Sequence, residues 1–225
     1  MGKPMNGYTV HTIERKDAIP WIKLKHYAKK TPSISHSFGL FYNDTICGVV
    51  TYGQPPNPQP RKCCGEMYKD IVIELNRLVV ESKRKNSTSF LVGKSLKLLP
   101  KPLIIVSYAD PNQGHVGYIY QATNWLYTGK GGGAIELYLN GNRVNERTID
   151  HKGIHTKKDK KKYILDMGGY WDDAKPKNRY HYFIGSKKQK KKMLKALRYP
   201  ILPYPKGESK RYDTSAEFPK QVQMF

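Results

Sequence analysis

The sequence predicts an α/β protein: a mixed central sheet flanked by helices, with a basic extension at its C-terminal end. Three observations carry that expectation. Residues 70–81 are dense in β-branched side chains (Ile71, Val72, Ile73, Val79, Val80), the composition of a central strand. Residues 103–108 run apolar without alternation, as a strand covered by helices on both faces must. Between and after these strands, apolar residues recur at helical spacing. Val92, Leu96 and Leu99 share one face of 88–99; Ile119, Ala122 and Leu126 share one over about 116–126.

The remaining elements follow in order. Residues 8–15 alternate and read as a first strand. Residues 16–30 place Ile19, Trp21, Ile22, Leu24 and Tyr27 at helical spacing, with Pro20 early, where a helix tolerates it. Segments 36–43 and 45–52 are apolar strands joined at a tight Asn43-Asp44 turn. Pro55, Pro56, Pro58 and Pro60 exclude regular structure from 54–62. Asn86 or Ser87 caps the helix 88–99, and Pro100 and Pro102 end it. Gly129, Gly131, Gly132 and Gly133 make 127–133 a flexible turn, and 134–139 and 180–185 read as late strands of the sheet. The catalytic domain is expected over 1–185, with a basic, partly ordered extension over 186–225.

Charge narrows the function. Across 225 residues, 40 Lys and Arg face 18 Asp and Glu, a formal charge of +22. Such a field draws polyanions, and nucleic acid is the commonest. No basic amphipathic helix with a broad apolar face points to a membrane surface, and no run approaches the length of a membrane span. The 17 tyrosines set among lysines suit a surface where bases stack and phosphates pair, although most tyrosines of any protein line its core. Cys47, Cys63 and Cys64 show no zinc-binding spacing, so no metal is expected. The N-terminal residues lack the apolar stretch of a secretory signal, and a reduced, cytoplasmic protein is expected. Residues 151–225 hold 20 of the 40 basic residues and 7 acidic ones, including the runs Lys157–Lys162 and Lys187–Lys192.

The strand and helix order matches the N-acetyltransferase-like superfamily, and four segments sharpen the match. They are Lys25-His26-Tyr27 with 36–41 and 48–53, Glu74 to Leu78, Asn86 to Ser89, and Ser107 to Asp110 with Gln113 to His115 and Ile119 to Ala122. Over roughly 20–185 the chain resembles the phage Mom family. That resemblance implies a transferase converting adenine in duplex DNA to N6-carbamoylmethyladenine, which shields phage DNA from restriction. It also implies work in the host cell cytoplasm. One departure matters. Many N-acetyltransferases cradle the coenzyme A pyrophosphate in a glycine-rich loop; here 83–90 contains no glycine. An aminoacyl donor such as glycyl-tRNA then competes with an acyl-CoA.

Candidate residues follow from position and from the resemblance. Asp110 closes a strand, where open α/β sheets bind ligands, and its carboxylate suits proton transfer or a turn. Tyr120, on the next helix, occupies the place where N-acetyltransferases often carry a leaving-group acid; a core aromatic is the alternative. His26 and Tyr27 are candidates for touching the target base or relaying a proton. Strand alternation sends Asn76 and Arg77 to opposite faces. With Ser87, Thr88, Ser89 and Ser107 they form the expected donor-binding set. Nucleic acid is assigned to His115, Arg179, Tyr180, Lys187, Lys188, Lys190, Lys191 and Lys192. The partner expected is double-stranded DNA, with tRNA a second. An ordinary acetyl-CoA-dependent N-acetyltransferase and a non-enzymatic basic nucleic-acid-binding protein are the rival readings.

Overall fold

The computed structural model describes residues 5–131, 135–144, 146–173 and 175–207. In chain order it contains β1 (Tyr8–Thr12), α1 (Arg15–Lys25), β2 (His36–Tyr42), β3 (Thr45–Gly53), α2 (Pro58–Arg61), β4 (Val72–Val80), α3 (Ser87–Leu98) and β5 (Leu103–Ala109). There follow α4 (Tyr118–Ala122), β6 (Leu126–Lys130), β7 (Ile135–Leu139), β8 (Asn142–Val144), α5 (Glu146–Asp150), α6 (Lys157–Asp166), β9 (Tyr170–Asp173), β10 (Asn178–Ile184) and α7 (Lys187–Lys195). Seven strands form the main sheet in the order β1-β2-β3-β4-β5-β10-β6. The β4–β5 pair is parallel, and the other neighbours in that sheet run antiparallel.

The sheet holds together because each face has its own apolar cover. On one face Leu91, Val92 and Leu96 of α3 pack with Phe38, Tyr52, Leu75, Ile105 and Trp125. On the other, Ala18 and Trp21 of α1 cover Val49 and Val79. Met193 of α7 packs there with Cys63, Val72, Ile104 and Phe183. The β2–β3 turn forms at Asn43 and Asp44 as expected, both with positive φ (44° and 64°), the geometry whose twist matches a hairpin.

Three sequence expectations give way after β5. The helix expected over 116–126 is only the five residues of α4. Gly117 starts it at φ +96°, where an added Cβ would collide with the Tyr180 ring. Asn124 (φ +61°) ends it, and the segment expected as a turn becomes β6, because burying Trp125 and Tyr127 outweighs the glycine-rich composition. Residues 135–139 are a strand, but of a second sheet, β8-β7-β9, and not of the main one. That small sheet and helices α5 and α6 are inserted between β6 and β10 around their own core of Ile135, Leu137, Ile149 and Ile164. The insert's neck closes where Gly131 N–H donates to Lys177 O at 2.7 Å.

Residues 186–207 fold back onto the sheet. Ser186 and Gln189 form a reciprocal capping box that starts α7. The Arg198 N–H then donates to Cys63 O (2.9 Å), the Leu202 N–H to Tyr127 O (2.9 Å), and the Tyr204 hydroxyl to Trp125 O (2.7 Å). Of the extension expected over 186–225, residues 208–225 lie outside the described residues.

Candidate functional site

The site begins where β4 and β5 part. Their parallel ladder runs from Val72↔Ile104 to Glu74↔Val106 and then stops. On its other edge β4 carries an extra residue at Asn76, since Thr51 pairs with Arg77 but Tyr52 with Leu75. A bulge of this kind bends a strand and re-aims its side chains. Here it opens a crevice between β4 and β5. Ser107 Oγ spans the crevice floor, 2.8 Å from Leu75 O and 2.7 Å from the Tyr120 hydroxyl. A carbonyl only accepts, so the serine hydrogen goes to Leu75 and the Tyr120 hydroxyl is the donor to Ser107. Burial, the largest influence, holds Tyr120 protonated to well above the usual tyrosine range.

The bulge also overturns the expectation that Asn76 and Arg77 face opposite ways. Both reach the loop after α1. Asn76 Nδ2 donates to Ser33 O (2.7 Å) while its Oδ1 accepts from Thr51 (2.6 Å). Arg77 donates through Nε and Nη2 to Lys30 O (3.2 and 3.0 Å). Both side chains thereby anchor that loop. Gly53 permits the approach, because a Cβ there would strike the Ser33 carbonyl.

Anchored in this way, the end of α1 meets the end of β5. His26 is buried and stacks on Tyr27 (ring centroids 4.4 Å apart), and Tyr27 meets His115 edge-on at 6.2 Å. The Ala28 N–H donates to His26 Nδ1 at 3.0 Å. The neutral ring therefore carries its proton on Nε2. Burial, then the charges of Arg77, His115 and Lys177, lower the His26 pKa to about 3. Near neutral pH the His26 ring is therefore neutral, with its one N–H on Nε2. The Asp110 carboxylate is buried and pairs with Lys177 Nζ at 2.8 Å. Asp110 O accepts from the Gln113 and His115 N–H groups (3.0 and 3.1 Å), which fixes the loop carrying His115.

Two members of this cluster were not among the sequence candidates. Lys177 sits in the chain's lysine-rich third, and only the fold brings it to Asp110. Glu74 was legible as a carboxylate inside a β-branched run. Burial raises its pKa to about 7, against the opposing charges of Arg77 and Lys177. A carboxylate with that pKa is suited to general-base work near neutrality.

The other expected residues fall elsewhere. Asn86 starts α3 at φ +70° without a side-chain cap bond. Ser87 and Ser89 hydroxyls donate to Ser82 O and Asn86 O, and Thr88 lies half-buried between them. Tyr180 is fully buried and its hydroxyl donates to Val116 O at 2.6 Å, so its ring serves the core and is closed to base stacking. Arg179 donates to Thr128 Oγ1 and O (3.1 and 2.8 Å) and lies 3.5 Å over the Tyr199 ring, an intramolecular use of its guanidinium. In the run 157–162, Lys160 is buried against Glu146 and Asp150 (3.2 and 2.8 Å) and is closed to phosphates. Lys187, Lys188, Lys190, Lys191 and Lys192 are exposed on α7. Among the described residues, no group of three or more His, Cys, Asp or Glu side chains is arranged to hold a metal ion, and no helix is long and apolar enough to cross a membrane.

A seven-stranded sheet with one parallel pair, parted over buried Ser107 and partly buried Tyr120, frames the site. The chain belongs to the Mom protein family, whose sequence profile matches residues 7–206. It is 26% identical over 210 residues to the methylcarbamoylase Mom of Escherichia phage Mu, covering 88% of this chain and 83% of that one. Among solved structures it is similar to an N-acetyltransferase from Staphylococcus aureus Mu50. That match has 14% identity and a TM-score of 0.43, and covers 78% of this chain and 98% of that one. It is also similar to a putative acetyltransferase from Salmonella typhimurium with acetyl-CoA. There the identity is 11% and the TM-score 0.44, over 80% of this chain and 96% of that one.

Proposed function

We propose that this protein transfers an aminoacyl unit to N6 of adenine in duplex DNA and leaves N6-carbamoylmethyladenine, protecting phage DNA from host restriction. Membership of the Mom family is the observation that carries the reading. The site supplies the chemistry for it. The added group, –CH2–CO–NH2, has the heavy-atom chain of a glycyl unit. In the first step N6 attacks the carbonyl carbon of a glycyl ester. The N6–C bond forms, the ester C–O bond breaks, N6 gives up a proton and the departing oxygen takes one. Glu74 is the group we assign to receive the N6 proton, and Tyr120 the group that protonates the departing oxygen. In the second step the free glycyl amine attacks ring carbon C6 through a five-membered spiro intermediate. The C6–N6 bond breaks, one proton passes from the attacking nitrogen to the leaving one, and the former N6 becomes the amide nitrogen. We assign contact with the target base to His26, Tyr27 and His115, which cluster at the end of α1 and the loop after β5. Reaching N6 for such chemistry requires the base out of the stack.

A glycyl-tRNA donor agrees with the charge of +22 and with the glycine-free loop 83–90. An acyl-CoA is the second donor considered, as the usual substrate of the fold. The test is mass spectrometry of nucleosides from bacteria expressing the protein. A fraction of deoxyadenosine should be heavier by one carbamoylmethyl group. Unmodified nucleosides alongside folded, soluble protein would refute the reading.

DNA binding is assigned to α7. Replacing Lys187, Lys188, Lys190, Lys191 and Lys192 with Gln should weaken duplex binding for all sequences. It should also flatten the dependence of log affinity on log salt by about 0.9 per lost phosphate contact. The preferred target sequence should not change, because phosphate contacts position a protein without reading bases. Titrations at several salt concentrations measure this; an unchanged slope would make the helix a solvated surface only.

A further inference from the structure

The helix that carries Tyr120, α4, has five residues, too few to hold its own shape in water. What fixes it bears on the site, because the Tyr120 hydroxyl donates to Ser107 Oγ at 2.7 Å on the crevice floor. The next residue supplies the grip. Gln121 is half-buried, and its Nε2 donates to the Tyr180 hydroxyl at 3.4 Å and to Pro205 O at 3.3 Å. A primary amide has two N–H groups, so both bonds form at once.

Each acceptor is itself fixed. Tyr180 is fully buried on β10, in register with Ser107 on β5. Its ring lies 5.0 Å from that of Tyr120, and its hydroxyl donates to Val116 O, next to His115. Pro205 belongs to the segment 199–207, which lies against β6, the outer strand of the main sheet. Pro200, Pro203 and Pro205 have no N–H, so this segment does not extend the ladder as a further strand. It is held instead by the Leu202 N–H on Tyr127 O and the Tyr204 hydroxyl on Trp125 O. At its end Gly207 comes so close to Val116 that an added Cβ would lie 2.8 Å from Cγ1. Residues 116–121 are thus tied both to the sheet and to the segment 199–207, and the Gln121 amide joins the two.

We propose that Gln121 is a positioning residue of the transfer site: by joining Tyr180 to Pro205 it fixes the short helix that sets Tyr120 on Ser107. The inference rests on the transfer reading above, in which Tyr120 protonates the departing oxygen, and it adds what holds that hydroxyl in place. It also gives the segment beyond α7 a part in the site. Two measurements on the full chain test it, with Gln121→Leu, which keeps the bulk and loses both N–H donors. Thermal melting checks that the variant is folded; if it is not, Gln121→Glu replaces it, with the same outcomes expected. The first measurement is hydrogen exchange read by mass spectrometry. Backbone amides of 118–125 should exchange about tenfold faster in the variant, with those of β4 and β5 unchanged. Wild-type exchange over 118–125 would overturn the proposal. So would exchange raised equally across the main sheet, the mark of a general loss of stability.

The second measurement is the kinetics of modification with purified glycyl-tRNA and target DNA. In the variant kcat should fall about 10²-fold, the scale of a misplacement of about 1 Å, with KM for both substrates within about twofold. The loss should shrink with a glycyl nitrophenyl ester as donor, whose oxygen departs without needing a proton. A variant with wild-type kcat would overturn the positioning role. A loss confined to KM, or one equal for both donors, would do the same. A wild type that makes no modified nucleoside, beside the expected contrast in exchange, would overturn the transfer reading and leave the grip of Gln121 on α4 standing.

Discussion

Replacing Asp110 with alanine is expected to abolish adenine modification while leaving duplex DNA binding intact. The carboxylate is buried, lies 2.8 Å from Lys177 Nζ, and sits on the loop whose backbone bonds place His115. Removing it takes the countercharge from the half-exposed Lys177 ammonium and the carboxylate from the loop that carries His115. The exposed lysines of α7 belong to a different element, so the polyanion surface should not change. The measurement is the modified fraction of deoxyadenosine beside duplex affinity at fixed salt. A fall of about 10²-fold or more in rate fits loss of a group that positions the site. If excess positive charge alone caused the loss, Lys177→Met in the Asp110→Ala background would restore activity; no recovery is expected. Wild-type yield from Asp110→Ala would remove the residue from the mechanism.

The second large effect is expected at Glu74. In the folded protein its pKa is raised to about 7, well above the ordinary value of 4.5, chiefly by burial. The sign follows from the direction of the shift. The neutral carboxyl is the form that folding favours. Its contribution to stability is fully present below about pH 4.5 and is lost as pH rises through about 7. Glu74→Gln keeps the neutral shape at all pH values. It should therefore melt like the wild type at pH 4 and about 5 °C higher at pH 8, the scale of a change of roughly 2 kcal/mol in a domain of this size. The opposite is expected of activity. If Glu74 accepts the N6 proton, wild-type kcat/KM rises with pH through about 7, and Glu74→Gln loses about 10²–10⁴-fold together with that rising limb. A variant that keeps the limb would assign it to another group. A variant no more stable at pH 8 than the wild type would deny the buried carboxylate its raised pKa.

Glu74 also shows how much of this molecule the chain discloses on its own. Elements whose formation depends on neighbouring residues were legible. The Asn43-Asp44 turn needs two residues tolerant of positive φ, β5 needs an unbroken apolar run, and α3 needs one apolar face; each can be read along the chain. The family was legible through short motifs, and the charge of +22 through composition. His26, Tyr27, Asp110 and Tyr120 are candidates on the sequence alone, because they lie within those motifs. What the chain could not disclose was decided by the packing of distant residues. The bulge at Asn76 sets which way Asn76 and Arg77 point, and it exists only in the pairing with β3. Trp125 and Tyr127 turn a glycine-rich segment into β6 because the core they fill is built by α3, β5 and β10. Lys160 and Lys177 read as two more lysines in a basic third, yet one is buried in the insert and the other completes the site. Local propensity acts over a few residues and is written in their order; burial and charge pairing act through space, and only the closed fold assigns their partners.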